Sequence, residues 1–411
     1  MSYHLFEVFG IELEYMLVDT ETFKVNPIVD KLLTRKNGTL TSDVENGKIE
    51  WSNELVAHVV EMKTNGPTAN LEDLDELFAE NVSEMNSLLK DLNSRLLPSA
   101  AHPLMHPEEE MQLWQHSYSR IYALYNRIFD CRGHGWSNVQ SMHINLPFSG
   151  DAEFEKLHAA VRILLPIIPA LSASSPIFEG RLTGFKDSRM QVYKTNQKEI
   201  PEMTGKVIPE QYFTKKDYFQ GIFEPINKAI APHDHEKILD HHFLNSRGAI
   251  ARFDRGAIEI RVIDIQECPK ADVAIAVLII EALKLLVGEE LISLEDQKNW
   301  HENDLFEILN AVIIDAEGTG AKNDKYLDIF DLRAGKAVKD IWSKIYAMVK
   351  ENISEKHQKN IEFILQHGSL ATRIIKALGE KPSEAEILKV YRTLSDCLEE
   401  NRFFSASEIM R

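Results

Sequence analysis

The chain of 411 residues is 44% hydrophobic and 27% charged, an ordinary globular balance too apolar for a disordered polymer. Lys and Arg number 46 against 64 Asp and Glu, a formal charge of −18, which argues against a protein whose work is neutralising nucleic-acid phosphates. ATP stays open, because a metal ion carries a triphosphate past acidic side chains. Length alone suggests roughly two or three domains, a prior that one large enzyme domain often violates. The cysteines, Cys131, Cys268 and Cys397, lack CxxC spacing, so neither a disulfide framework nor a thiolate metal site is expected, and a reducing cytoplasm fits. The N-terminal MSYHLFEVFGIELEY has no cationic start or long apolar run and does not read as a signal peptide. Ala271 to Val287 contains Glu281 and Lys284 and falls short of a membrane span.

Along the chain, Phe6 to Val18 alternates as a strand, with a turn near Asp19. Ile49 to Thr64 is mixed and could hold a strand end and a short helix. Ala69 to Leu97 shows a helical stripe from Leu71 through Leu96, with Thr68 or Asn70 as caps and Pro98 as its end. Met111 to Phe129 reads as a second helix and Val139 to Leu146 as a strand closed by Pro147. Phe154 to Leu171 is helical, kinked or shortened by Pro166 and Pro169. Ser172 to about Asp240 reads as a long irregular segment, of the kind that carries function. Ala249 to Ile265 supplies one or two strands, and from Ala271 onward the pattern is helical. Strands far apart in sequence, without βαβ regularity, predict an α+β fold with a largely antiparallel sheet.

Three segments place polar side chains on one strand face. Glu12 and Glu14 project side by side, with Ile11, Leu13 and Tyr15 opposite. Two such carboxylates repel unless a cation or a shared proton lies between them; taken alone, the pair is more often the polar outer face of a surface strand. Glu259 and Arg261 share a face, a surface ion pair or part of a site, with Arg252 and Arg255 nearby as guanidinium forks suited to phosphate or carboxylate. His143 and Asn145 share a face opposite Met142 and Ile144, where a lone histidine is more often structural than a ligand. Glu54 and Glu61 are seven apart, an odd spacing that puts them on opposite faces of one regular strand, so one site can use both only through a bend. Together the five carboxylates and one imidazole describe oxygen-rich, hard-cation chemistry of the Mg²⁺ or Mn²⁺ type.

The order of GIELEY, NELVAHVVEMKT, HPLMHP, SMHINLPF, PALSASSPIFEGRLTGFKDSR and AIEIRVID resembles the glutamate–cysteine ligase type 2 (carboxylate–amine ligase) family of the glutamine synthetase superfamily. The likeness runs from about residue 8 to about 270 and resumes faintly at HGSLATRII. It implies a curved antiparallel sheet forming a funnel, with helices outside, and two or three Mg²⁺ ions that hold ATP on the concave face. The resemblance makes Glu12, Glu14, Glu54, Glu61, His143 and Glu259 the metal ligands. It sets Arg261 against the transferred phosphate, with Glu259 beside it in the catalytic set, and makes Arg181, Arg189 and, less securely placed, Arg252 contacts to substrate or nucleotide anions. One catalytic domain over 1–411 follows, with the sheet, metal and ATP site in 1–270 and a helical part in 271–411 packed on it. Two departures stand out: His143-Ile144-Asn145 replaces the usual His-x-His, and Phe178 stands where a Trp is usual.

The implied activity is ATP-dependent amide formation through an acyl phosphate, with glutamate as the acid and cysteine as the amine, giving a cytoplasmic enzyme of glutathione biosynthesis. No nucleic-acid or membrane partner is expected, and a homo-oligomer is left open. Rival readings are a ligase for another acid–amine pair, a guanidino or carboxylate kinase, and an idle homologue that senses nucleotide or amino acid. His233, His235, His241 and His242 match no zinc spacing and read as a solvated loop. His102 and His106 each precede proline, consistent with a structural turn or with the mouth of the site. No P-loop or GxGxxG motif is present.

Overall fold

The computed structural model describes residues 3–320 and 322–409. Among the described residues ten strands occur in chain order: β1 (Gly10–Asp19), β2 (Asp43–Asn46), β3 (Ile49–Asn53), β4 (Val59–Thr64), β5 (Ser94–Leu97), β6 (Ser141–Pro147), β7 (Ile177–Phe178), β8 (Arg181–Leu182), β9 (Ala249–Arg252) and β10 (Ala257–Asp264). Eight form one open sheet of order β2-β3-β4-β1-β6-β10-β9, with β5 also paired to β1. Every pair is antiparallel, as the scattered strand pattern predicts. β7 and β8 make a separate two-stranded hairpin.

Alternation along each strand sorts the sheet into an apolar and a polar face. Ile11, Leu13, Tyr15, Trp51, Val60, Met62, Met142, Ile144, Leu146, Ile258 and Ile260 belong to the buried core. Helices Leu74–Lys90, Gly150–Leu164 and Pro269–Val287 share this core. The last is apolar nearly all round, which marks a helix enclosed by others rather than a surface helix. It meets Leu74–Lys90, Gly150–Leu164, Val338–Val349 and Glu355–His367. No helix among the described residues is long and apolar enough to cross a membrane. A second apolar cluster joins Met16, Val18 and Leu97 to Leu370, Ile374, Tyr391 and Leu394 of the C-terminal helices. Cys131, Cys268 and Cys397 are free and buried.

Four segments differ from their sequence patterns. Ile49–Thr64 is not strand plus helix but two antiparallel strands, β3 and β4, joined by a loop at 54–58. The leucine stripe ends its helix at Lys90, and Ser94–Leu97 is captured by β1 as β5, because Leu96 and Leu97 bury equally well from a strand. Neither Thr68 nor Asn70 caps that helix: Thr68 bridges to Phe9, and Asn70 accepts from the Glu72 amide at 2.8 Å in a local turn. The helix within 111–129 begins only at Ser119. Residues 172–240 are not irregular throughout, since a helical run spans Lys215 to Ile230 with a π-helical middle at Phe219–Phe223.

Gly248 shows how tightly the polar-face strands are seated. A Cβ there would lie 2.5 Å from Val262 Cγ1, 2.9 Å from Leu165 Cδ2 and 2.9 Å from Val207 Cγ1. Gly248→Ala is therefore expected to cost about 1–3 kcal/mol by overpacking, read as a lower urea midpoint at unchanged slope. An unchanged midpoint would show that the contact yields freely.

Candidate active site

Pairing brings the singled-out strand residues together. Glu14 lies opposite Glu61 and Glu12 opposite Lys63 across β1 and β4. On the other side Glu12 lies opposite His143, and Glu259 lies opposite Asn145 across β6 and β10. Gly10 permits the close approach of β1 to β6, since a Cβ there would sit 3.0 Å from Asn145 Cβ. The odd spacing of Glu54 and Glu61 is resolved by the chain reversal: Glu61 stands on β4, while Glu54 follows β3 in the connecting loop.

His143 is the hub. Its Nδ1 lies 2.9 Å from Glu12 Oε2 and 3.7 Å from Glu259 Oε1, and its Nε2 lies 3.9 Å from Glu14 Oε1. Ser141 donates to Glu14 Oε2 from both its amide, at 2.7 Å, and its hydroxyl, at 2.9 Å. The Ser141 hydroxyl also lies 2.9 Å from His143 Nε2, so both ring nitrogens have a hydrogen-bond partner. Burial and the Arg261 charge oppose protonation of the ring, but the Glu12 hydrogen bond and the charges of Glu14 and Glu12 raise its pKa. Asn145 Nδ2 completes the Glu12 carboxylate at 2.9 Å.

The remaining cations are interleaved with the acids. Lys63 donates to Glu61 at 2.8 Å and to Ser52 Oγ at 3.0 Å, with Glu50 3.6 Å away. Arg261 Nε lies 3.1 Å from Glu259 Oε1. Arg252 grips Asp254 through two nitrogens, at 3.1 and 2.9 Å, and stands 3.7 Å from Glu259. These cations do not balance the acids. Burial, then the Glu61, Glu14 and Glu12 charges, pushes Glu54 well above the carboxylate range despite Lys63. Burial and Glu12 raise Glu61 to about 7 against the pull of Lys63. Burial also opposes ionisation of Glu12, but His143, Lys63 and Arg261 outweigh it and hold the carboxyl at about 2.

Two adjoining cavities of about 580 and 720 Å³ open over this floor and share Glu14, Glu54, Glu61, His143 and Arg261. The first is walled by Tyr122, Tyr125, Trp136 and Tyr193. The second is lined by Gly10, Glu12, Arg252, Arg255, Gly256 and Glu259. Two sets of side chains bring ligand atoms within 4.8 Å of one another, Glu12–His143–Glu259 and Glu14–Glu61–His143. An excess of buried carboxylates with one imidazole suits a hard divalent cation, so the donor set fits Mg²⁺ or Mn²⁺. Glu54 belongs to neither set but lines both cavities.

The predicted arginines divide. Arg252 and Arg261 border the floor. Arg189 reaches the wall of the first cavity, with its Nε on Asp264 Oδ1 at 2.5 Å. Arg181 is exposed on the β7–β8 hairpin and lines neither cavity. Lys63, Ser52, Glu50 and Ser141 were missed, although Lys63 and Ser141 stand two residues from Glu61 and His143 on the same faces. Asp240, His241 and His242 meet at the rim, where Asp240 takes up His242 Nδ1 at 2.8 Å. His102 is a buried structural residue bonded to the Phe23 carbonyl at 2.8 Å, and burial lowers its pKa to about 4.

Comparison with known proteins gives a consistent result. Residues 8–392 match the model of glutamate-cysteine ligase family 2 (GCS2). An uncharacterized protein of Archaeoglobus fulgidus is 33% identical over 398 residues, covering 96% of this chain and 99% of that one. A Chromobacterium violaceum protein, provisionally named a glutamate–cysteine ligase 2, is 30% identical over 189 residues, 44% of this chain and 45% of its own. Among solved structures, a glutamate–cysteine ligase of Francisella tularensis in complex with AMP aligns with a TM-score of 0.66 at 16% identity, over 95% of this chain and 89% of that one. A bifunctional glutathione synthetase of Pasteurella multocida aligns at 0.56 and 13% identity, over 97% of this chain and 52% of that one. At such identities these two show a shared fold.

The crowded carboxylates predict the pH dependence of the metal-free protein. Glu61 binds its proton more tightly folded, at about 7, than at its ordinary 4.5, and Glu54 is shifted the same way. Stability therefore falls as pH rises through that window. His143, also raised, contributes stability below its ordinary 6.5 that is lost as pH rises through its folded value. Because His58 and His102, each lowered by burial to about 4, add the opposite slope below 6.5, the prediction is comparative: the Tm of Glu61→Gln relative to wild type rises between about pH 5 and pH 7, and Mg²⁺ raises the wild-type Tm at pH 8. A Tm difference that is flat over this range, or a wild-type Tm indifferent to Mg²⁺ at pH 8, would contradict the charge excess.

Proposed function

The chain belongs to glutamate-cysteine ligase family 2, and on that premise we propose that it joins a carboxylate to an amine through an acyl phosphate, with ATP as phosphoryl donor. The observation that carries this reading is the pair of ligand sets sharing His143 on the floor of two adjoining cavities. One cavity accommodates the nucleotide and the other the organic reactants, so both meet over the same carboxylates.

Glu12, Glu14, Glu61, Glu259 and His143 would hold Mg²⁺, with Glu54 beside them in the lining of both cavities. When bound, the cation screens and orients phosphate oxygens. The acid's carboxylate oxygen attacks the γ-phosphorus of ATP and ADP leaves; the amine nitrogen then attacks the acyl carbon and phosphate leaves. The chain contributes position and fixed charge, the larger part of catalysis in phosphoryl transfer. Arg261 borders both cavities, and its fork stabilises the charge spread over the transferred phosphoryl group. Glu259 is the nearest counter-charge to that guanidinium, 3.1 Å from its Nε. Arg252 and Arg255 add anion-binding capacity on the nucleotide side. The names of the relatives point to glutamate and cysteine as the substrate pair.

ADP release with Mg-ATP and panels of acid–amine pairs, with the amide identified by mass, tests this reading. L-glutamate with L-cysteine is expected to give an amide; a phosphorylated acid without amide would mark a kinase, and tight Mg-ATP binding without turnover a sensor. Glu14→Ala and Glu259→Ala are expected to abolish Mg²⁺-dependent ADP formation while the fold persists, since the apolar faces of β1 and β10 hold both strands in the core. Arg261→Lys should lower kcat by about 100-fold, because a point charge cannot replace the fork. Near-normal turnover in folded Glu14→Ala or Arg261→Lys would defeat the assignment of that residue.

A further inference from the structure

Arg189, Asp264 and Asp187 form a buried polar cluster on the polar side of the sheet, beside the floor. Pairing of β6 with β10 is regular up to Ile260 opposite Ile144 and resumes at Ile263 opposite Met142. Arg261 and Val262 therefore both stand opposite His143, as a β-bulge of one extra residue. The Arg261 amide continues the β9–β10 register by donating to the Gly248 carbonyl at 2.8 Å, but the Gly248 amide turns to the Val207 carbonyl at 2.7 Å, which leaves the Arg261 carbonyl to accept from Arg189 Nη2 at 3.2 Å.

The bulge also exchanges faces. Asp264 sits at an odd spacing from Glu259, yet it pairs opposite Ser141 and so joins the polar side. There its Oδ1 accepts from Arg189 Nε at 2.5 Å, while its Oδ2 accepts from the Ser174 amide and the Ser175 hydroxyl, both at 2.9 Å. The Arg189 amide is itself held by Ser175 Oγ at 3.0 Å. Asp264 is 0% and Arg189 2% exposed. Asp187, equally enclosed, caps the following helical turn by accepting from the Met190 amide at 2.8 Å. Burial and the neighbouring Asp264 raise its carboxyl well above the ordinary range, against the pull of Arg189.

We propose that Arg189 and Asp264 are positioning residues: their buried pair pins the carbonyl of the β10 bulge and so aims Arg261 at the reacting groups. Buried ion pairs contribute little net stability against apolar replacements of equal volume, so the effect is expected in geometry. The inference rests on the role given to Arg261 above, and it makes Arg189 a support for that residue instead of an anion contact.

The test compares R189M, D264N, R261M and R189M/R261M in full-length protein, with Mg-ATP, L-glutamate and L-cysteine. R189M and D264N should each lower kcat by about 100-fold, with KM for ATP and glutamate changed by less than about threefold. R189M/R261M should be no slower than R261M, since the pair acts through Arg261. A KM raised about tenfold for one reactant, or losses that add in the double variant, would overturn the proposal in favour of direct contact. If R189M does not fold, R189K and D264N, which keep part of the network, carry the same comparison. If the wild type releases no ADP with this pair, the choice of glutamate and cysteine fails separately, and crystal structures of wild type and D264N decide: a rebuilt bulge with Arg261 turned away supports the inference, and an unmoved Arg261 overturns it.

Discussion

Repulsion among carboxylates on one pleated face organises the rest of this molecule. Two unit charges about 4 Å apart repel by roughly 4 kcal/mol at an effective dielectric of about 20, and Glu12, Glu14, Glu61 and Glu259 all crowd around one imidazole. The strands cannot drift apart to relieve this, because their opposite faces are locked into the apolar core by Ile11, Leu13, Met62, Ile144 and Ile260. The charge must be answered in place. Part of the answer is internal: His143 bonded to Glu12, Lys63 between Glu61 and Glu50, and Arg261 beside Glu259. The unanswered part, seen in the raised Glu54 and Glu61, makes the floor receptive to cations.

The same constraint links the helical remainder to the chemistry. Pro269–Val287 lies in the core behind the sheet and is itself enclosed by helices on several sides. The far end of β1 is gripped by the C-terminal apolar cluster of Leu370, Ile374, Tyr391 and Leu394. These contacts touch no cavity over the floor, yet they fix the strand that carries Glu12 and Glu14. Rigidity behind the sheet is the condition for preorganised charge in front of it.

Much of the site was legible because strand alternation has a period of two. Glu12 with Glu14, Glu259 with Arg261, and His143 with Asn145 each follow from that period and an apolar opposite face. The α+β class followed from strands scattered among helices. Lateral order was not legible: nothing in the local pattern puts Glu14 opposite Glu61 rather than another strand's residue, and the family resemblance supplied that grouping. Asp264 was hidden by the bulge, which reverses the face its odd spacing implies. β5 was hidden inside a leucine stripe, since Leu96 and Leu97 satisfy helical and strand burial alike. The odd spacing of Glu54 and Glu61 did signal a bend, but not that the bend is a full reversal between two strands.

The central claim is that this acidic floor binds a divalent cation through His143 as well as through carboxylates. Pulsed electron paramagnetic resonance of Mn²⁺ added to the full-length protein tests it most directly, because a directly bound imidazole nitrogen couples to the Mn²⁺ spin. The account predicts a nitrogen coupling in the wild type that disappears in a folded His143→Gln variant. Bound Mn²⁺ with no nitrogen coupling, or with the same coupling after the substitution, would contradict it.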